Sequence, residues 1–265
     1  SDHLWELLDA ALAIEGDFAV KLFELTGFAL WGNRVDLSHP AGTLAGQTAA
    51  EDDLLVDDRD RVVAYLDAQR AGANTATIHV VQDNTGTELA MDLVLIDFLL
   101  ANGYPVMLHL KSHPTFVSDT TIPDVWQMLE AMTARGDQAA ALADRLRLAW
   151  AEERLRLAAH PFWVSSQFMR DLPASLRQIF AEATLVILKG DVNYRRAVGD
   201  TVEWEDVSWM AVMEHFPAPI LALRSIKCDV VVGVPAAITG PLDAHDPSWR
   251  LTGQYGVIQW AEGQS

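Results

Sequence analysis

Four short polar clusters in this 265-residue chain combine residue types that suit a hard metal ion and a phosphate group. They are Asp83-Asn84-Thr85-Gly86-Thr87-Glu88; Lys111 with Ser118-Asp119-Thr120-Thr121; Lys189-Gly190-Asp191-Val192-Asn193-Tyr194-Arg195-Arg196; and Arg224-Ser225-Ile226-Lys227. Carboxylates and carboxamides are oxygen ligands for divalent cations, and such a set leaves positions open for water and substrate. Lys189, Arg195, Arg224 and Lys227 are cations that could balance phosphate charge, arginine through paired hydrogen bonds and lysine through a point contact. Asn193 and backbone N–H groups near Gly86 and Gly190 could bond the remaining phosphate oxygens. Asp191 is the candidate for orienting or deprotonating an attacking water, with a nucleophilic carboxylate left open.

Each cluster also has a plainer reading. Asp83-Asn84 with Gly86 fits a turn and a helix N-cap. Lys189-Gly190-Asp191 fits a loop with a solvated lysine, and Arg224 and Lys227 fit surface charges. The joint reading gains from coincidence: the chain has 15 Arg and only 4 Lys, and Lys111, Lys189 and Lys227 all follow apolar runs, beside carboxylates and amides.

Those runs are short and rich in β-branched residues: residues 77–82, 106–110, 184–188, 220–223 and 229–232, with a last one at 255–260. They predict strands. Helical spacing is expected over two segments of residues 1–31, over 57–72, and over 88–101, 122–134, 138–157 and 172–183, with an ordered loop over 32–53. Strands alternating with helices predict a parallel α/β sheet, in which ligands gather beyond the carboxyl ends of the strands. The polar clusters sit at those ends.

Composition narrows the partners. With 19 Lys+Arg against 37 Asp+Glu the net charge is −18, so nucleic acid and anionic membranes are excluded as expected partners. Half the residues are hydrophobic and 21% charged, a globular balance. A single Cys228 rules out a CxxC pair and an intramolecular disulfide and fits a reducing cytoplasm. There is no GxGxxG, P-loop, GxSxG or HExxH motif. His109 and His113 flank a strand end before Pro114, so they do not read as a zinc pair. No apolar run reaches the length of a membrane helix, and the Ser1-Asp2-His3 start lacks the basic region of a signal peptide. It also lacks an initiator methionine, so the chain reads as processed or truncated.

The four clusters, in this order, resemble the metal-dependent damage-control phosphatases, in the acidic-residue methyltransferase-like or sugar-phosphate phosphatase branch. Leu30-Trp31-Gly32-Asn33-Arg34-Val35-Asp36-Leu37-Ser38, Phe162-Trp163 and His215-Phe216-Pro217-Ala218-Pro219 resemble that branch as well. The resemblance implies a three-layer α/β/α fold with a mostly parallel, Rossmann-like sheet, in which a helical part over residues 1–74 precedes a phosphatase domain over 75–265. It implies a divalent metal, Mn²⁺ first and Mg²⁺, Co²⁺ or Ni²⁺ otherwise, held by Asp83, Asn84 and Asp119. It also implies a substrate site using Glu88, Lys189, the Asp191–Arg195 segment with Asn193 and Tyr194, and the Arg224-x-x-Lys227 motif. The implied reaction is hydrolysis of small phosphomonoesters such as fructose 1-phosphate.

Two departures stand out. Members of the branch carry additional helices before the matched region, so residues 1–74 read as a shortened helical part. Ser225 and Ile226 replace the usual threonine and leucine inside the Arg-x-x-Lys motif and leave both cations in place. Two other readings remain. One is carboxyl methyl transfer from S-adenosylmethionine, although no glycine-rich cofactor loop follows the first strand; the other is a non-catalytic module that binds a metal or a sugar phosphate.

Overall fold

The computed structural model describes residues 2–32, 51–201 and 207–264. Residues 33–38, which carry part of the resemblance, and nearly all of the expected loop over 32–53 lie outside the described residues. Two helices open the chain, α1 (Asp2–Leu12) and α2 (Phe18–Trp31), the second capped by Asp17, whose carboxylate accepts the Val20 N–H at 3.0 Å. There follow β1 (Leu54–Asp57), α3 (Arg59–Ala71), β2 (Ile78–Val81), α4 (Thr87–Ala101), β3 (Val106–Leu110), α5 (Ile122–Arg135), α6 (Asp137–Ala151) and β4 (Leu155–Ala159). The remainder comprises α7 (Ala174–Ala181), β5 (Leu185–Lys189), α8 (Gly190–Val198), α9 (Trp209–Met213), β6 (Ile220–Ser225), α10 (Ala236–His245) and β7 (Gly256–Ala261).

The seven strands form one sheet in the order β1-β7-β6-β5-β2-β3-β4. The run from β6 to β4 is parallel, β7 is antiparallel to β6, and β1 is parallel to β7. Because side chains alternate across a strand, the central strands feed two cores. Ile78, Val80, Leu185 and Ile187 pack with α1, α2, α4, α5 and α6, whereas Val81, Val186 and Leu188 pack with Phe162, Trp163 and residues of α7, α8 and α9. This is the expected α/β/α fold. Leu7, Leu8 and Leu30 of the first two helices share the first core, and β1 lies in the sheet, so residues of the first 74 positions are built into the same layers.

The central helix α4 is buried from Glu88 to Ile96 without a break, because α1 and α2 cover the side turned away from the sheet. That enclosure is what places Glu88 and Asp92 out of water.

Three expectations are corrected. Residues 229–232 are not a strand: Val230, Val232 and Val234 are buried, but the carbonyl of Val230 accepts from Arg224, and that of Val232 accepts from Gln259 at 2.7 Å. Side chains meet the hydrogen bonds that a neighbouring strand would have made, and β7 takes the place beside β6. The helix expected over 138–157 stops at Ala151, and Leu155–Ala159 is a strand on the edge of the sheet. The strand's burial pattern does not alternate cleanly, with Leu155 buried, Arg156 and Ala159 exposed and Leu157 and Ala158 between, so periodicity gave little strand signal after the helix. The segment after Leu188, read as a loop, is the helix α8, closed by Gly199 in the left-handed conformation.

His109 has a partner that its spacing from His113 did not suggest. Its Nε2 lies 2.8 Å from Nδ1 of His79 on the next strand, against Phe180 and Trp163. One ring donates and the other accepts. Burial holds His79 down at about 4, with Arg156 adding to it, and holds His109 down at about 3, with His79 and His160 adding to it. The unfolded chain therefore binds more protons than the fold below pH 6.5, and stability is present above that value and lost as pH falls toward 4. Between pH 7 and 5, His79 alone should account for about 2 kcal/mol. Urea unfolding of His79→Gln should show a pH 7 to 5 loss smaller by that amount; an unchanged loss refutes the assignment.

Candidate active site

Strand order brings β2 and β5 side by side, yet β2 connects onward to β3 on one side and β5 to β6 on the other. The chain departs in opposite directions beyond their carboxyl ends, which opens a crevice. A cavity of about 660 Å³ lies there. Asp83 and Asn84 reach it from the end of β2, Lys189 and Gly190 from the end of β5, and Asp191 from the first turn of α8. Asp119, from the loop after β3, and Lys227, just beyond β6, complete the polar wall.

Backbone pairing fixes the acidic side. Asn84 and Asp119 form an isolated antiparallel bridge, with the Thr120 N–H donating to the Asp83 carbonyl at 2.9 Å and the Thr85 N–H to the Ser118 carbonyl at 2.8 Å. Asp119 is buried, taking the Lys111 ammonium on Oδ1 at 2.6 Å and the N–H groups of Thr115 and Phe116 on Oδ2, each at 2.9 Å. Asn84 Nδ2 donates to Asp83 Oδ2 at 2.8 Å and to Glu88 Oε2 at 3.0 Å, while its Oδ1 accepts the Ser118 hydroxyl at 2.6 Å. Gly190 meets Asp83 so closely that a Cβ there would lie 1.9 Å from Oδ2.

The cations are not equivalent. Lys189 is buried; its ammonium lies 3.1 Å from Asp92 and 3.6 Å from Glu88 and also donates to the Ala29 carbonyl. Arg224 is buried too, with Nε and Nη2 each 2.8 Å from Asp191 Oδ1 and Nη1 on the Val230 carbonyl. Arg195 turns to Asp200, at 2.7 Å, and does not line the cavity. Lys227 is exposed, lines the cavity, and has no ion pair among the described residues.

Of the residues singled out from the sequence, Asp83, Asn84, Glu88, Asp119, Lys189, Asp191 and Lys227 therefore come together at one cavity. Arg224 stands behind Asp191, and Asn193 and Tyr194 are buried beneath it. Asn193 Nδ2 donates to the carbonyls of Gln82 and Lys189, and the Tyr194 hydroxyl to Gln259 at 2.9 Å. Four further participants were given no site role from the sequence. Asp92 and Gln82, 2.7 Å apart, lie under the site, and Gln254 and Thr252 close its far wall. Asp92 lies in the apolar run of α4, where its spacing of four from Glu88 was the available signal.

Two carboxylates and a carboxamide are a hard donor set of the kind that holds Mg²⁺ or Mn²⁺. Among the described residues no three His, Cys, Asp or Glu side chains are placed to hold a metal ion by themselves, so a cation here depends on the Asn84 amide oxygen besides Asp83 and Asp119. Asp83 is pushed up to about 7, by burial first and then by the charge of Glu88, against the opposing pull of Lys111. A carboxylate so buried and beside Glu88 and Asp119 gains by taking a divalent cation, and the set fits one.

A family model described as the damage-control phosphatase ARMT1-like domain matches residues 6–241. The damage-control phosphatase ARMT1 of Danio rerio is 34% identical over 261 residues, which cover 91% of this chain and 58% of that protein. The Mus musculus protein of the same name is 33% identical over 280 residues, covering 97% and 63%. The chain thus spans about six tenths of the length of these curated relatives. A solved DUF89 family protein of Pyrococcus horikoshii superimposes with a TM-score of 0.49 at 18% identity, over 88% of this chain and 72% of that one. The family match runs unbroken from α1 into α10 and takes in the acidic wall, the β5–α8 junction and Lys227: the chain belongs to the ARMT1-like damage-control phosphatase family.

Proposed function

We propose that this chain is a metal-dependent phosphatase that hydrolyses small phosphomonoesters, with sugar phosphates such as fructose 1-phosphate as the substrate class. The observation that carries this is the meeting of a hard oxygen set and the exposed Lys227 ammonium, which has no ion pair among the described residues, across one crevice at the switch point of the sheet. Asp83, Asn84 and Asp119 would hold the ion, Mn²⁺ in first place, and the ion would supply Lewis acidity at the phosphoryl group. Lys227 meets the phosphate, helped by the N-terminal turn of α8, whose Gly190, Asp191 and Val192 line the cavity. Asp191 handles the attacking water. Its Oδ1 is occupied by Arg224 and by the Lys227 N–H at 3.3 Å, whereas its Oδ2 has no protein hydrogen bond among the described residues. Arg224 is thus a positioning residue for Asp191, and its guanidinium is already spent. The family name supports phosphatase chemistry, and the single half-buried Cys228 suits a cytoplasmic setting.

The test is phosphate release across a panel of phosphorylated metabolites with Mn²⁺, Mg²⁺, Co²⁺ and Ni²⁺. Release of phosphate from hexose phosphates with one of these ions supports the proposal; metal-dependent thermal stabilisation without release identifies a binding module and overturns it. Lys227→Ala should raise KM for the phosphorylated substrate about tenfold, as loss of one charge-assisted contact would. An unchanged KM removes Lys227 from the phosphate site.

A further inference from the structure

We infer that Asp92 and Lys189 form a buried positioning pair that acts through Glu88 on the carboxamide of Asn84, fixing which end of that amide is offered to a cation. The inference rests on the metal site proposed above. Asp92 lies one turn after Glu88 on α4, and both carboxylates point to the same side of the helix. The Lys189 ammonium reaches both, 3.1 Å from Asp92 Oδ1 and 3.6 Å from Glu88 Oε1, and also donates to the Ala29 carbonyl. Its hydrogen bond goes to Ala29 and its charge is paired with two buried carboxylates, so Lys189 lines the cavity while already engaged from behind. Burial pulls its pKa down, and the charges of Asp92 and Glu88 more than reverse this, leaving it raised.

The side-chain exposures of Asp92 and Lys189 are each 2%. Burying such a pair carries a desolvation penalty, and an apolar residue would continue the run Leu89 to Ile96 without it. What the pair accomplishes lies at its other end. Glu88 Oε2 accepts Asn84 Nδ2 at 3.0 Å, and Asp83 Oδ2 accepts the same nitrogen at 2.8 Å. With its nitrogen on Asp83 Oδ2 and Glu88 Oε2, the Asn84 amide turns its oxygen the other way, where it accepts the Ser118 hydroxyl. A flipped amide would set its oxygen against both. Gln82 completes the arrangement, donating to Asp92 Oδ2 at 2.7 Å and to the Asn84 carbonyl at 3.3 Å. The chain Asp92, Lys189, Glu88, Asn84 is therefore continuous, and outer partners of this kind commonly alter metal affinity ten- to a hundredfold.

The experiment is calorimetric titration of Mn²⁺ alone into the wild type, Asp92→Asn, Glu88→Ala and the double variant, with Asp83→Asn as the reference for the site. Asp92→Asn keeps the side-chain shape and should weaken Mn²⁺ binding about tenfold. In the Glu88→Ala background, where the link is already cut, it should weaken binding no further. A full tenfold loss in that background, or a fall in melting temperature with unchanged Mn²⁺ affinity, shows a merely structural pair and overturns the inference. Glu88→Ala lies at the cavity wall and tests the last link whether or not Asp92→Asn folds: unchanged affinity there overturns the inference as well. If the wild type itself takes up no divalent ion, the metal site fails and the inference fails with it. If the wild type binds, Asp83→Asn does not, and the other variants match the wild type, only the positioning pair is refuted.

Discussion

Asp83→Ala is expected to lower metal-dependent phosphate release on the order of a thousandfold, through loss of a ligand that contributes several kcal/mol of charge stabilisation. The fold should survive. Lys111 keeps its 2.6 Å ion pair with Asp119, Asn84 keeps Glu88, and the bridge between Asn84 and Asp119 is made by backbone. A carboxylate that burial and Glu88 push up to about 7 is a destabilising charge in the metal-free protein. The melting temperature of the metal-free variant should accordingly equal or exceed that of the wild type, as circular dichroism would register. Retained phosphate release would remove Asp83 from the metal site.

Gly190→Ala should cost about 3 kcal/mol of stability and disable the same site, by a different route. Gly190 has φ +83°, and an added Cβ would lie 1.9 Å from Oδ2, 2.4 Å from Cγ and 2.8 Å from Cβ of Asp83. Either Asp83 or the first turn of α8 must move. Because the clash is with one side chain, Asp83→Gly in the same protein should return most of the loss, leaving only the strain of a left-handed alanine, about 1 kcal/mol. Urea unfolding of the two single variants and the double variant measures that coupling. Additive losses would mean that Asp83 is not what makes alanine intolerable at 190.

Both variants act on residues already conspicuous in the sequence, and the physics explains why. The strands at 78–81, 106–110, 185–189 and 220–225 are mostly apolar, as strands buried on both faces tend to be, so the polar residues at and beyond their ends could be read directly. Where local signals conflict with the fold, the reading fails. Helix α10 holds Gly240 and Pro241 in its middle, and α8 begins on Gly190-Asp191, so neither advertises helix. Within the site, residue types told which groups could bind a cation or a phosphate but not which were already engaged. Lys189, Arg195, Arg224 and Lys227 are alike on paper. Only geometry shows that Asp92, Asp200 and Asp191 have claimed the first three. Asp92 was assigned no role because its spacing of four from Glu88 places both acids on one helix face without showing that Lys189 of β5 lies against them.

The edge of the sheet sets an order of assembly. Strand β1 pairs with β7, so that Leu54 stands opposite Gly256, and Asp58 accepts the N–H of Trp260, 202 positions later. During synthesis β1 and α3 leave the ribosome long before their partner exists, and contacts of such separation form late. In the finished sheet β7 lies antiparallel on β6, and its other edge offers the row of backbone groups that β1 completes. A nascent chain released before residue 256 would leave β6 as an open edge and β1 without a place, even with the whole acidic wall of the crevice already synthesised.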